Sequence, residues 1–286
     1  MKHGRPWALA VVATAVFAAA GCKDKGQKSA EEAKANVQLL VPLVEKDVGE
    51  IERGLPEGAK KIAIQLGKEQ DVRGNTATVR SALLKIRQQV PDLGVAKSTF
   101  FALTDDKGVA IRNDLEQDTM AGKSVVERYP GLKPALEGGG FVTTTGEFGT
   151  PNPTGPDREW VAAVPVKRED QSMVGLLVTG WTYRRFAYHL QEVLKRDLQE
   201  QLVRNGETGK LPVIYVFLFD DKAVYGARGT PPVDETALKD AGVHPKTASG
   251  PADGTLTITD RPFGWAAVRL PKLGPELGVV VLRSEI

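Results

Sequence analysis

Two pairs of adjacent aspartates are the side chains whose chemistry stands out first. Asp105-Asp106 and Asp220-Asp221 each precede a lysine, and clustered carboxylates are ligands that hard cations such as Ca²⁺ prefer. Such a cation takes about six or more oxygens around one point, whereas the two pairs lie in separate stretches of chain. Aspartate side chains also bond the local backbone in turns, and this interpretation is favoured here. We therefore expect two turns and no metal.

Residue types that could carry catalysis are scarce. The chain has three histidines, His3, His189 and His244, and a single cysteine, Cys22. None of the G-x-S-x-G, H-E-x-x-H or phosphate-cradling glycine patterns is present. His189 falls in a predicted helix, where a solvated or packed role is commoner than a catalytic one. The sequence therefore predicts a protein that is not an enzyme and that has no cofactor.

The position of Cys22 indicates a different chemistry, acylation. Residues 1–5 are basic, residues 7–20 form an apolar run of the length typical of a signal peptide, and Ala-Ala-Gly-Cys follows at 19–22. This arrangement resembles the lipobox of bacterial lipoproteins, although that motif usually has Leu where this chain has Ala19. The resemblance implies a signal peptide over 1–21 and a lipid on Cys22, the new N-terminus. An ordinary signal peptide that ends near a cysteine is the alternative.

Charge and composition limit the kinds of partner and the location that are expected for this protein. Lys and Arg number 38 and Asp and Glu 36, and removal of residues 1–21 would take away Lys2 and Arg5 and leave the two signs in balance. A balanced charge gives no support for nucleic-acid binding. One cysteine excludes an internal disulfide. No apolar stretch after Cys22 is long enough to cross a bilayer, which takes about 20 residues. We expect a lipid-anchored protein on a membrane surface of the cell envelope, on its periplasmic or extracellular side.

Several short helices are predicted after the anchor. Residues 22–28 read as a polar tether, and Ser29 with Glu32 forms a capping-box pattern that predicts a helix start. Pro42 and the Gly-Leu-Pro-Glu-Gly segment at 54–58 predict breaks, since proline removes a helical hydrogen bond. Each piece is then too short for a coiled coil, so packing against a sheet is expected.

A duplicated hairpin organises the rest of the chain. Strand-forming residues at 100–103, a turn with Asp and Gly, and a second strand at 109–112 recur as residues 213–228. Three further strands follow each hairpin, and the segments Trp160 to Val164 and Val174 to Val178 have counterparts at 265–268 and 277–281. The pattern predicts an α+β fold with two five-stranded antiparallel sheets, joined by a helix over 186–210.

The order of these motifs resembles the extracytoplasmic Cache sensor family, a branch of the PAS-like fold. The resemblance rests on the Asp-x-x-Gly hairpin turn, the helix end at 135–138, the AAVPV strand at 162–166 and the GLLVTG strand at 175–180. It implies a double Cache region. Residues 29–185 would contain the N-terminal helices and the first module, and residues 211–286 the second module. Family members often join this region to a transmembrane helix and a kinase or chemoreceptor. This chain is expected to lack both.

Membership would imply a small-molecule pocket between the sheet and the helical connector, usually in the first module, whose connector (about 114–140) is the longer one. The family's pockets draw on the connector and the later strands, which indicates these candidate ligand-binding residues: Tyr129, Arg158, Trp160, Thr179, Trp181 and Tyr183. Each has an alternative role. Trp160 is matched by Trp265 in the second module, which favours a core position for it. Arg158 could be a solvated charge at the end of a strand. Trp181 and Tyr183 could pack against the linking helix. The arginine and aromatic cluster of the amino-acid-binding branch is not found here.

Three functions fit these features. The first is a sensory, small-molecule-binding lipoprotein that presents its ligand state to a protein partner such as a sensor kinase or receptor. The second is a structural envelope lipoprotein whose pockets are filled by side chains, and the third is a solute-binding lipoprotein for a transporter. A cavity of roughly 300 Å³ or more with a mixed lining would separate the first from the second.

Overall fold

The computed structural model describes residues 13–67, 71–98, 100–147, 158–207 and 209–285, with the side chains of 13–24 and 95–98 outside this description. Residues 1–12 of the predicted signal peptide therefore fall outside the described part, and so does the side chain of Cys22. Within the described part, no helix combines the length and the apolar character needed to cross a bilayer.

The N-terminal region is one helix, α1 (Ala13–Leu66), and the prediction of a tether followed by several short helices is wrong. Residues 22–28 are helical, and the helix continues through Pro42, which lies on its exposed face. A continuous buried stripe explains why the breaks fail, because packing of an apolar face outweighs local propensity. Its members include Val37, Leu40, Val44, Val48, Ile51 and Leu55.

Two residues predicted as helix punctuation have other roles. Ser29 lies inside α1, is fully buried, and its Oγ accepts a hydrogen bond from the Glu285 backbone N–H at 3.3 Å. Gly58 lies where α1 crosses its neighbours, and an added Cβ would come within 2.9 Å of Ile86 Cγ2 and 3.2 Å of Leu177 Cδ2. The glycine therefore permits close packing rather than ending the helix.

The first module has the predicted five-stranded antiparallel sheet, in the order β2-β1-β5-β4-β3. Its strands are β1 (Phe100–Thr104), β2 (Ala110–Asn113), β3 (Val142–Gly146), β4 (Glu159–Lys167) and β5 (Met173–Thr182). Helix α2 (Thr76–Gln89) and a 3₁₀ segment (Pro91–Ser98) precede the sheet. The connector between β2 and β3 contains α3 (Val125–Arg128), a 3₁₀ turn (Pro130–Leu132) and α4 (Lys133–Leu136).

The linking helix α5 (Tyr183–Arg204) starts earlier and ends earlier than the predicted span 186–210. Thr182 is its N-cap, and the Thr182 Oγ1 accepts a hydrogen bond from the Arg185 N–H at 3.2 Å. Tyr183 is therefore the first residue of this helix.

The second module repeats the same strand order, β7-β6-β10-β9-β8, and is also antiparallel. Its elements are β6 (Val213–Phe219), β7 (Val224–Gly226), α6 (Pro232–Asp240), α7 (Val243–Lys246), a 3₁₀ turn (Thr247–Ser249), β8 (Ala252–Ile258), β9 (Arg261–Arg269) and β10 (Gly278–Ser284). The predicted fold class, two five-stranded antiparallel modules with helices, is confirmed.

Each sheet has two covered faces. One face of both sheets packs on α1 in a single core that runs through the two modules and includes Leu103, Leu177, Val216 and Val279. The opposite face of each sheet is covered by its own connector, with Val161 and Val178 in the first of these smaller cores and Phe217 and Leu282 in the second. The long helix is therefore the element that holds the modules in one arrangement.

Candidate functional site

The two aspartate pairs form turns, as predicted. In the first hairpin the Asp105 Oδ1 accepts hydrogen bonds from the N–H groups of Lys107 at 2.8 Å and Val109 at 2.9 Å. In the second, the Asp220 Oδ1 accepts from Lys222 at 2.9 Å and from the next residue at 3.0 Å. One carboxylate oxygen in each turn thus closes the hairpin.

The other oxygen of each aspartate faces an arginine, and the two arginines differ. Asp105 Oδ2 lies 3.0 Å from Arg73 Nη2, whose side chain is 57% exposed. Asp220 Oδ2 lies 3.3 Å from Arg158 Nε, and these two side chains are only 5% and 12% exposed. Burial is the largest single influence and lowers the pKa of Arg158, but the Asp220 carboxylate, followed by Tyr183 and Tyr225, raises it, and the net shift is upward. Arg158 is therefore neither solvated nor confined to the first module, because its partner belongs to the second.

Aromatic and charged side chains surround this ion pair. Tyr183 and Tyr225 meet edge to face with their ring centroids 5.1 Å apart, and the Tyr225 hydroxyl donates to Asp220 Oδ1 at 3.4 Å. Burial raises the pKa of Tyr183 to about 12. Arg184 forms an ion pair with Glu235 and donates to the Gly226 carbonyl at 3.1 Å. We call these residues the module junction: Arg158, Tyr183, Arg184, Asp220, Tyr225 and Glu235.

The two predicted tryptophans lie on the face of the sheet opposite to the connector. Trp160 stacks on Trp181 at a centroid distance of 4.5 Å, and Trp181 stacks on Phe186 at 4.4 Å. All three rings belong to the core shared with α1 and are at most 3% exposed. Their predicted placement between sheet and connector is therefore wrong.

Trp160 and Trp265, which match in sequence, do not occupy equivalent positions in the two modules. Ala162 and Ala266 both face the α1 core, so the alanines of the two strands correspond, whereas Trp265 lies in the connector-side core of the second module. The two segments differ by one residue, and a one-residue slip turns a side chain to the other face of a sheet. Trp265 is therefore not the structural counterpart of Trp160, and the match gives no argument for a core position. Trp160 is nevertheless buried.

The remaining predicted residues lie elsewhere. Tyr129 is fully buried on the connector side, and its hydroxyl donates to a carboxylate oxygen of Glu159. Burial first, and then the Glu159 carboxylate, raise the pKa of Tyr129. The Thr179 hydroxyl donates to the Phe100 carbonyl at 2.9 Å. The six predicted residues thus lie in four separate places, and whether any of them contacts a ligand stays a prediction.

Apolar side chains occupy the space where the family resemblance implied a pocket. Between the connector and the first sheet they form a continuous buried core whose connector members are Met120, Val125, Val126, Tyr129, Leu132 and Ala135. Four of them are fully buried: Val125, Tyr129, Leu132 and Ala135. This core is packed rather than open.

An open groove lies at a different place in the first module, between α2, β2 and the start of the connector. It has a volume of about 640 Å³, which is in the usual range of small-molecule sites. Its lining mixes charged, hydroxyl and apolar side chains: Thr76, Ala77, Arg80, Ser81, Leu84, Ile111, Arg112, Asp118 and Ala121. The sequence predictions missed it, although the helical spacing of Thr76, Arg80 and Leu84 places a half-polar stripe on one face of α2.

Two buried or partly buried ion pairs shape the groove. Arg112 Nη1 lies 3.0 Å from Asp118 Oδ2, and Arg112 Nη2 donates to the carbonyls of Leu115 at 2.9 Å and Glu116 at 3.2 Å. Burial alone would raise the pKa of Asp118, but backbone N–H groups and Arg112 together hold it below its usual value. Behind the groove, Arg87 forms an ion pair with buried Asp114 at 2.5 Å.

Arg80 is the second of the two arginines that line the groove. Its Nε donates to the Asp114 backbone carbonyl at 3.3 Å. No carboxylate pairs with Arg80 in the part of the chain that the structure describes. Among the described residues, the guanidinium therefore has a backbone contact and no acid that balances its charge.

No known family has a model that matches the chain, and no curated protein matches it either. Solved structures do match. A structure described as methyl-accepting chemotaxis protein X is 16% identical, with a TM-score of 0.52 over 90% of this chain and 97% of that one. The ligand-binding domain of the Campylobacter jejuni chemoreceptor Tlp3, in complex with 4-methylisoleucine, is 13% identical, with a TM-score of 0.50 over 91% and 92%.

The periplasmic domain of Vibrio cholerae LuxQ is 12% identical, with a TM-score of 0.50 over 88% of this chain and 98% of that domain. By their descriptions, the first two are a chemotaxis protein and a chemoreceptor domain, and the third is a periplasmic domain. At these identities the likeness concerns the fold alone. The chain therefore shares the two-module Cache and PAS-like fold of these structures.

Proposed function

We propose that this protein is an extracytoplasmic sensory protein that binds a small molecule through its first module and presents the bound state to a protein partner. The observation that carries the proposal is the open groove of about 640 Å³ beside α2, with its mixed lining. The structural neighbours support it, since one of them is described as a ligand-binding domain in complex with a small molecule.

The anchor belongs to the same proposal. Cys22 lies on α1, and the following turns of this helix contact the second module, with Gly26 beside Thr255 and the Ala30 backbone against Gly264. A helix of 54 residues is about 80 Å long, so its other end lies far from Cys22. A lipid on Cys22 would therefore hold the second module near the membrane and the groove away from it.

The module junction offers a contact through which the second module can respond. Arg158 directly precedes β4 of the first sheet, and Asp220 directly follows β6 of the second. A ligand shifts a partner only when it binds two conformations with different affinity. Under this proposal the two conformations differ in how the first module meets the Asp220 turn.

A structural envelope protein is the second candidate, and one observation favours it. The space between connector and sheet in the first module is filled by Tyr129, Leu132 and their neighbours. This is the place where the family resemblance implied a ligand. If the groove beside α2 binds nothing, a packed scaffold is the better description.

A thermal-shift screen of small metabolites on the full-length protein in detergent tests the proposal. Binding to the native state raises the melting temperature, by an amount that grows with ligand concentration. At least one metabolite should raise the melting temperature of the wild-type protein. A Leu84→Trp variant, whose larger side chain fills the groove, should lose this shift. A Leu39→Trp variant, changed at an exposed position of α1, should keep it. A screen without any hit would contradict the proposal and favour the structural scaffold.

The lipid anchor has its own test. Mass spectrometry of the N-terminal peptide should find an acyl mass on Cys22, and a Cys22→Ser protein should lose both that mass and its membrane association. A mature wild-type protein that begins elsewhere and carries no lipid would contradict the anchor and leave the ligand proposal standing.

A further inference from the structure

We propose that the groove between α2 and β2 is specific for small organic monocarboxylates that lack an ammonium group, with Arg80 as the residue that recognises the carboxylate. This inference rests on the proposed function, because it names the class of molecule that the first module would sense. It follows from a comparison of the charges in and behind the groove.

Two of the three arginines there are already matched by acids. Arg112 pairs with Asp118 at 3.0 Å, and Arg87 pairs with Asp114 at 2.5 Å. Arg80 has no acidic partner among the described residues. The groove therefore holds an excess of one positive charge, which suits a ligand with a single negative charge. Charge-assisted hydrogen bonds from a guanidinium to a carboxylate are shorter and stronger than neutral ones.

The acid of the groove has no capacity left for a cation. Asp118 Oδ1 accepts from the N–H groups of Met120 at 2.8 Å and Ala121 at 3.0 Å, and its Oδ2 accepts from Asn113 N–H at 3.1 Å and from Arg112. The lowered pKa of Asp118 agrees with an acid whose oxygens are saturated by donors. A ligand ammonium would meet no open acceptor there, so free amino acids are disfavoured.

The rest of the lining sets the size and polarity of the ligand. Ser81 and Thr76 add hydroxyl groups close to Arg80 on the same face of α2, while Leu84 and Ile111 are apolar. Leu84 is 36% exposed, an uncovered apolar surface inside the groove. A carboxylate joined to a short aliphatic group would cover it and reach Arg80 at the same time.

Three matched probes separate the contributions of charge and shape. Isobutyrate has the carboxylate and a short aliphatic group, isobutyramide replaces the carboxylate by a neutral amide, and valine adds an ammonium. We expect isobutyrate to bind the full-length protein in detergent, measured by isothermal titration, and the other two to bind at least about tenfold more weakly, a difference typical of one charge-assisted contact. Affinity for isobutyrate should also fall as salt concentration rises.

Variants assign the effect to the groove. Arg80→Gln should weaken isobutyrate binding at least about tenfold, Arg80→Lys should weaken it less, and Arg73→Gln, an exposed arginine outside the groove, should leave it unchanged. Leu84→Glu keeps Arg80 but places a carboxylate one helical turn away, where it can pair with the guanidinium, and it should also abolish binding. This second variant keeps the test valid if Arg80→Gln proves unstable in circular dichroism.

Several outcomes would overturn the inference. Equal binding of isobutyramide or valine would exclude carboxylate selectivity, and unchanged binding in Arg80→Gln and Leu84→Glu would place the ligand elsewhere. If no monocarboxylate binds but the metabolite screen finds another ligand that Leu84→Trp blocks, the inference fails and the proposed function stands. If neither experiment finds a ligand, both fail.

Discussion

The two aspartate turns have nearly the same sequence but different roles in the structure. Asp105 and Asp220 each close a hairpin with one carboxylate oxygen and face an arginine with the other. The first arginine, Arg73, is mostly exposed and comes from the same module. The second, Arg158, is buried and comes from the other module. Local sequence thus determines the turn, while the surroundings decide whether the second oxygen contributes to a surface contact or to the junction.

A second contrast concerns where α1 crosses the two sheets. In the first module the α1 side of the sheet carries the stacked rings of Trp160 and Trp181. In the second module the residue before Trp265 is Gly264, and the backbone of α1 passes directly over it, so that an added Cβ would lie 1.9 Å from the Ala30 nitrogen. The helix is therefore separated from the first sheet by large side chains and touches the second sheet directly.

The largest expected effect comes from breaking the buried ion pair. Arg158→Ala leaves the Asp220 carboxylate buried without its partner, and such a loss destabilises a protein by about 3–5 kcal/mol. The exposed counterpart, Arg73→Ala, should change the free energy of unfolding by about 1 kcal/mol or less. Urea unfolding of the two variants measures the difference.

A double variant sharpens this test. Asp220→Asn keeps the oxygen that closes the turn but removes the charge, so Arg158→Ala with Asp220→Asn should be more stable than Arg158→Ala alone. Equal losses in the Arg158 and Arg73 variants would mean that the two turns do not differ in the way described here.

The next effect tests the close contact at Gly264. Gly264→Ala forces the α1 backbone away from β9, since the new Cβ would also lie 2.3 Å from the Ser29 carbonyl carbon. Such overpacking costs about 1–3 kcal/mol and occasionally more. Gly140→Ala is the matched control, because an added Cβ there would meet nothing within 4 Å. Similar melting temperatures for the two variants would rule out a tight helix crossing in the second module.

The smallest effect concerns one acid on the connector side of each module. In the first module the Glu159 carboxylate accepts the Tyr129 hydroxyl, whereas Asp234 in the second is 3% exposed, and its Oδ2 has no hydrogen-bond partner among the described residues. Burial, and then the nearby Glu235, raise the pKa of Asp234. Folding therefore disfavours the ionised form of Asp234 relative to the unfolded chain.

Asp234→Asn should therefore raise the melting temperature at pH 7 by about 1–3 °C, since about 1 kcal/mol corresponds to roughly 2–4 °C in a protein of this size. A raised pKa adds stability that is present below the unfolded pKa near 3.8 and is lost as the pH rises through the folded pKa. The advantage of the variant should accordingly shrink as the pH falls below the folded pKa. A constant difference across pH would contradict this assignment.

Much of the fold was predictable because its patterns are local. Alternating strand residues, turn aspartates and the repeat of one hairpin predicted two five-stranded antiparallel sheets, and each was confirmed. The turn role of Asp105 and Asp220 was predictable for the same reason, since a carboxylate reaches backbone N–H groups only two to four residues away. Short-range hydrogen bonding and strand periodicity need no knowledge of distant residues.

Other features were decided by the tertiary structure. Pro42 and the segment at 54–58 predicted helix breaks, but the continuous buried stripe of α1 outweighed local propensity. The face on which Trp160 lies depends on a one-residue difference in register that no single segment reveals. The pairing of Arg158 with Asp220 and the unmatched charge of Arg80 depend on which distant segments meet. The sequence alone determined the repeated local elements, whereas long-range packing on α1 decided which side chains are buried, paired or left open in a groove.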